Sequence, residues 1–279
     1  MDVVEKILVR KHWEANPCNA EMGDGGTQTR EYFEAIENKR YALEPEIHQF
    51  AQFSRYHGKE VLEIGVGMGT DFLQWNRAGA YATGVDLTEE CVALTRARLL
   101  VFGFPDEGRV LQADAENLPF ADSSFDLVYS WGVIHHSPNT RKALEEIVRV
   151  MRPGGEGKVM IYNKWSAVSL MYWCLFALFR LKPWLSISNV FSRHVESPGT
   201  KVYSLSEASA LFDGLPVGNL KLVCYRKYFT RLTRYPAWTR PFIRVAGEVL
   251  TVLLGGVERS GYFLTARFNR LPAQTTDFS

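Results

Sequence analysis

From residue 60 to 163 the chain alternates short β-branched runs with longer stretches of helical apolar period. EVLEI is followed by TDFLQWNRAG, YATGVDL by EECVALTRARLLVFG, RVLQA by FDLVYSW and TRKALEEIVRVM, and GKVMIYN comes after PGG. Strands linked through helices pair in parallel, with the helices over both faces, so the segment specifies a doubly wound α/β sheet with five parallel strands. After Asn163 the rhythm stops. An aromatic segment runs to about 200, SLSEASALFDGL reads as a helix behind a serine cap, and LKLVCYRKYF and GYFLTARFNRL read as two further strands. We expect an N-terminal helical segment over 1–58, containing YFEAIENKRY and a GDGG turn, a main domain over 59–279, and inserts at 164–204 and 229–260.

Thirty-two basic and 31 acidic residues leave a net charge of +1, too little to draw the chain onto nucleic acid, and none is expected as a partner. Cys18, Cys91, Cys174 and Cys224 stand far apart, which suits a reducing cytoplasm and gives no structural zinc pattern. The longest apolar run, AVSLMYWCLFALF, is shorter than the roughly 18 residues a spanning helix needs.

VLEIGVGMGTD places Gly65, Gly67 and Gly69 where the first strand hands over to the first helix. Ligands of open α/β sheets sit at that end, and glycine lets a ligand lie against backbone beside a helix N-terminus. A dinucleotide fingerprint would need glycine where Thr70 stands. Asp86 closes the second strand in GVDLT, where a carboxylate can accept both hydrogen bonds of a ribose diol; by itself that fits NAD equally well.

VLEIGVGMGTD, GVDLT, QADAENLPFADSSFDLVYS, GVIHHSPN and VMRPGGEGKVMIY, in this order and spacing, resemble the class I S-adenosylmethionine-dependent methyltransferases of the small-molecule and quinone-like branch, over roughly 55–165. The resemblance implies a Rossmann-like seven-stranded sheet with an antiparallel last strand and S-adenosylmethionine as cofactor. Glu63, Gly65 and Gly67 would then shape the methionine end, and Gly69 would let the helix pack closely. Asp86 would take the ribose hydroxyls with Leu87 against the adenine, Asp114 and Ala115 would recognise the adenine amino group and ring edge, and Ser130 would end the strand that offers carbonyls to the ammonium.

Methyl transfer from a sulfonium is an in-line displacement in which positioning and water exclusion do much of the work. His135 and His136 follow the fourth strand, where an imidazole can take a proton from an acceptor hydroxyl; fastening the loop through backbone hydrogen bonds is the alternative for His136. Tyr162, Asn163 and Lys164 leave the fifth strand on the same side and are candidate acceptor-pocket residues, with His194 and Glu196 as further ones. No converging carboxylate set is evident, so no metal is expected. Trp13, Tyr32, Phe33 and Tyr41 fit either a lid or helical core packing.

No acid occurs between Lys158 and Val195, where Lys164, Arg180, Lys182 and Arg193 flank MYWCLFALF. Arg231, Arg234, Arg240 and Arg244 interleave with Tyr235, Trp238 and Phe242 before VLTVLLGG. These inserts suit either a cap over an apolar or amphipathic acceptor or contact with an anionic membrane surface, and the localisation follows as cytoplasmic or peripheral. A methyltransferase acting on a small or lipid-like acceptor is the leading function; a silent cofactor-binding scaffold and a nicotinamide-dependent reductase are the alternatives. Oligomeric state and the accepting atom are open.

Overall fold

A computed structural model describes residues 2–18, 20, 28–105, 108–225 and 240–272. The GDGG stretch and Arg231, Arg234, Tyr235 and Trp238 of the second insert lie outside the described residues. Helices α1 (Asp2–Ala15), α2 (Arg30–Leu43) and α3 (Glu46–Ala51) precede β1 (Glu60–Ile64). Then follow α4 (Thr70–Arg77), β2 (Tyr81–Asp86), α5 (Glu89–Val101), β3 (Val110–Gln112), β4 (Phe125–Trp131), α6 (Thr140–Val150) and β5 (Met151–Tyr162). The remainder contains α7 (Ala167–Phe176), α8 (Ile187–His194), α9 (Leu205–Ala210), β6 (Val217–Tyr225), α10 (Arg240–Leu253), α11 (Val257–Ser260) and β7 (Phe263–Arg270).

The seven strands form one sheet in the order β3-β2-β1-β4-β5-β7-β6. Strands β1 to β5 pair in parallel, and β7 is antiparallel to both β5 and β6. Successive side chains of a strand point to opposite faces, which explains how one sheet feeds two cores. Val61, Leu127 and Tyr129 join one core with Phe72, Trp75 and Val92; Leu62, Ile64 and Val128 join the other with Leu144, Ile147 and Phe268. Both faces of the central strands are therefore dry, as parallel sheets require.

Caps start the helices where the sequence supplies them. The side chains of Thr88, Asn139 and Ser204 accept backbone N–H groups at the starts of α5, α6 and α9, and Ser204 forms a full capping box with Glu207. PGG does not separate α6 from its strand. Phe125 pairs with Met151 and Leu127 with Glu156, so residues 152–155 bulge out within β5, with Gly154 at φ +77. The order reverses at β1, flanked by β2 on one side and β4 on the other, and a crevice opens at the carboxyl ends of these strands.

Candidate functional site

The loop after β1 is knotted to the end of β2. Gly65 and Val66 donate to the Val85 carbonyl, Gly67 N–H donates to Asp86 Oδ2 at 3.0 Å, and Thr88 donates its N–H and hydroxyl to Asp86 Oδ1. Three of the roughly four acceptor directions of this carboxylate are thus used within the protein, and Oδ2 is the oxygen with room for a ligand hydroxyl. Burial pushes the Asp86 pKa up, against the opposing pull of those donors. The glycines have distinct duties. A Cβ at Gly65 would stand 2.2 Å from Val133, whereas one at Gly67 would meet nothing within 4 Å, so Gly67 leaves bare backbone facing open space. Gly69 caps α4, and a Cβ there would stand 3.0 Å from the Thr95 side chain of α5.

A cavity, partly open to solvent, runs from this loop past the ends of β3, β4 and β5. Glu63, Gly65, Gly67, Asp86, Leu87, Asp114, Ala115, His136 and Tyr162 all line it. Asp114 accepts the Glu116 N–H on Oδ1 and Lys6 of α1 on Oδ2. Glu116, 4% exposed, accepts Lys6, the Ser137 hydroxyl and the Asn139 N–H, tying the loop after β3 to the loop after β4.

Sequence reasoning missed Lys6, Arg40, Glu44 and Asp71, which also line the cavity. Arg40 of α2 donates two hydrogen bonds to Asp71, at 3.2 and 2.8 Å, and the hydroxyls of Tyr41 and Tyr129 donate to the same carboxylate. Asp71 follows Thr70 directly in the glycine motif, which is the one signal that pointed to it. Glu63 accepts the Trp75 indole N–H, and burial together with the Asp71 charge holds its pKa well above the ordinary carboxylate range. Trp13 of α1 lines the cavity, Tyr32 and Phe33 pack into a small core with Ile36, and Tyr41 holds Asp71; the lid-or-core question thus divides residue by residue.

At the other end of the cavity, His136 lies in a short helical turn, Ile134–His136. Its Nδ1 stands 2.9 Å from the Ser197 hydroxyl and 3.1 Å from that of Thr200, and its Nε2 3.3 Å from Glu196 Oε2. Thr200 donates its own proton to the Ser197 carbonyl, and the Ser197 hydroxyl can donate to Nδ1, an arrangement in which Nε2–H points to the Glu196 carboxylate. Tyr162 donates to both Glu196 oxygens, and Trp13 packs edge-on to His136 with centroids 5.1 Å apart. Met160, Phe263 and Trp131 complete an apolar wall.

Several expected residues point elsewhere. His135 is fully buried, its ring packs on Tyr162, and it is not among the residues that line the cavity. Ser130 pairs with Val159 inside the β4–β5 ladder, and the cavity wall begins with Trp131 and Gly132. Asn163 donates to the carbonyls of Arg259 and Gly261, Lys164 pairs with Glu207, and His194 is exposed and stacks on Phe176. None of these three lines the cavity. Among the described residues His135, His136 and Glu196 form one group whose potential metal-ligating atoms lie within 4.8 Å of one another.

These residues fit S-adenosylmethionine on physical grounds. Glu44, Asp71, Asp86, Asp114 and Glu196 line the cavity against Lys6 and Arg40, with Glu63 held toward its neutral form, and this excess of acids favours a cationic ligand. The open backbone at Gly67 lies beside Asp86, where a nucleoside sugar can approach both.

Residues 62–157 match a family model described as a methyltransferase domain. The phthiotriol/phenolphthiotriol dimycocerosates methyltransferase of Mycobacterium tuberculosis is 41% identical over 100 residues, 35% of this chain and 36% of that protein. The fatty-acid O-methyltransferase of Mycolicibacterium smegmatis is 35% identical over 124 residues, 44% of this chain and 43% of that one. The chain thus matches less than half the length of either relative. The crystal structure of geranyl diphosphate C-methyltransferase from Streptomyces coelicolor A3(2) is similar with a TM-score of 0.62 over 96% of this chain and 98% of that chain, at 12% identity, a likeness of fold. The chain thus matches the methyltransferase domain over residues 62–157 and shares a fold with the solved methyltransferase over nearly its whole length.

Proposed function

We propose that this protein methylates a hydroxyl group of an apolar, lipid-like acceptor. When bound, S-adenosylmethionine supplies a methyl group already activated on a sulfonium. Asp86 and the Gly67 backbone hold the sugar, Asp114 and Ala115 the purine edge, and the Glu63–Asp71 side of the cavity favours the positive charge. The His136–Glu196 pair takes up the acceptor's hydroxyl proton, with His136 anchored through Nδ1 on Ser197 and Thr200 and Glu196 kept in place by Tyr162, and the carboxylate stabilises the imidazolium. Trp13 and the rest of the α1 face exclude water from the apolar end.

One observation carries this reading. A continuous cavity joins the glycine and aspartate loops to an apolar, aromatic end where a histidine faces a carboxylate. Two relatives are named for a fatty acid and a phthiotriol dimycocerosate as acceptors, which agrees with an apolar pocket.

The test uses methyl-tritiated S-adenosylmethionine with, separately, a long-chain phenol, a sterol, a fatty acid and a polar amine. Label entering a hydroxyl-bearing lipid supports the proposal. Label entering the amine alone, or tight binding of S-adenosylhomocysteine with no acceptor labelled, would replace it with an amine methyltransferase or a scaffold. Chelation by EDTA should leave the rate unchanged if the His136–Glu196 pair works as an acid–base device.

A further inference from the structure

The two inserts present large apolar side chains to solvent on adjoining elements. In the turn after α7, Phe179, Leu181 and Trp184 are 72–82% exposed. The turn is held open by structure: Lys182 N–H donates to the Ala177 carbonyl, Trp173 donates its indole N–H to the Leu185 carbonyl, and Leu181 sits in the left-handed region at φ +57. Helix α10 packs against α7 and has its polarity inverted. Val245, Val249, Val252 and Leu253, at i, i+4, i+7 and i+8, form one stripe that is 53–77% exposed, while Gly247 and Thr251 occupy the buried side. A surface helix ordinarily turns such a stripe inward, and a contiguous apolar surface of this kind marks an interaction site.

Charge selects the partner. Arg180 and Lys182 are exposed within the turn itself, Arg193 is exposed on α8, and no acid occurs from Lys158 to Val195. Helix α10 has one acid, Glu248, against Arg240 and Arg244 in its sequence. A symmetric pairing of two copies through this surface would set Arg180 and Lys182 against their own duplicates, which like-charge repulsion opposes. A bilayer with anionic headgroups satisfies both components, taking the tryptophan and aliphatic side chains at the acyl boundary and the cations among the phosphates. We propose that the turn 178–184 and the outer stripe of α10 dock this protein reversibly on an anionic membrane surface. No helix among the described residues is long and apolar enough to cross a membrane, so the contact is peripheral.

The experiment is flotation of the full chain with vesicles of phosphatidylcholine and phosphatidylglycerol in equal parts, against vesicles of phosphatidylcholine alone, at low and high salt. Binding to the anionic vesicles that declines with salt is expected. Arg180→Gln with Lys182→Gln should weaken it roughly 10- to 30-fold, the effect of two basic residues near the surface. Phe179→Ser, Leu181→Asn and Trp184→Ser together should abolish it; asparagine tolerates the left-handed backbone of Leu181, so this variant keeps the turn. The thermal shift produced by S-adenosylhomocysteine, retained in both variants, shows that the domain is folded and separates a failed docking proposal from a failed cofactor assignment. Equal binding to neutral vesicles, absence of flotation, or a dimer in sedimentation velocity that the apolar variant dissolves would each overturn the proposal.

Discussion

Lys6 of the N-terminal helix stands 2.5 Å from Asp114 Oδ2 and 2.9 Å from Glu116, bridging 108 residues of sequence to close one wall of the cofactor cavity. Both Lys6 and Asp114 side chains are about three-tenths exposed, so the pair is worth no more than about 1 kcal/mol. Lys6→Ala should therefore speed release of S-adenosylhomocysteine by roughly two- to fivefold and expose residues 2–18 to protease. Stopped-flow release and limited proteolysis read these directly, and an unchanged release rate would separate α1 from cofactor closure.

Asp86 anchors Gly67 and Thr88 within the protein, and the proposed function gives it the sugar hydroxyls as well. Asp86→Ala should weaken S-adenosylhomocysteine by about 1–3 kcal/mol in a calorimetric titration. The melting temperature without ligand should also fall, because the glycine loop loses its anchor. Undiminished affinity would remove the ribose assignment.

For the His136–Glu196 pair, His136→Ala should lower kcat by roughly 10²–10⁴ while cofactor affinity holds. Glu196→Gln should lower kcat less, because it removes only the charge that stabilises the imidazolium. His136→Asn separates proton transfer from loop fastening: asparagine can keep a hydrogen bond to Ser197 or Thr200 yet accepts no proton. Full activity in that variant would make His136 a tether.

Lys158, wholly buried in β5, donates to the Ala51 carbonyl and to Gln52 and lies over the Tyr56 ring, and burial pulls its pKa down to about 7. Its folded value lies below the unfolded one, so from about pH 7 to 10.5 the unfolded chain holds more protons. Stability from this group therefore rises with pH across that window and is level below it, with a slope of at most about 1.4 kcal/mol per pH unit. Urea midpoints between about pH 7 and 9 should climb less steeply in Lys158→Met than in the parent. Parallel slopes would mean that the lysine titrates as an exposed one does.

The legible part of the site is the part that is local in sequence. Gly65, Gly67 and Asp86 occur within or beside a strand end, and the period-2 and helical patterns place those ends without help from distant residues. Glu196 was legible only as a loop neighbour of His194, and of the two it is Glu196 that reaches the cavity. Asn163 and Lys164 follow Tyr162 directly, yet the first is captured by carbonyls near α11 and the second by Glu207, partners 43 to 98 residues away.

By itself the sequence determined the succession of strands and helices and the glycine loop, because hydrophobic period and backbone freedom act over a few residues. Tertiary structure alone decided that Lys6 meets Asp114, that Arg40 meets Asp71, and that His136 rather than His135 lines the cavity. Those contacts arise when the packing of α1, α2 and the first insert against the strand ends sets side-chain directions, and no local pattern carries that information.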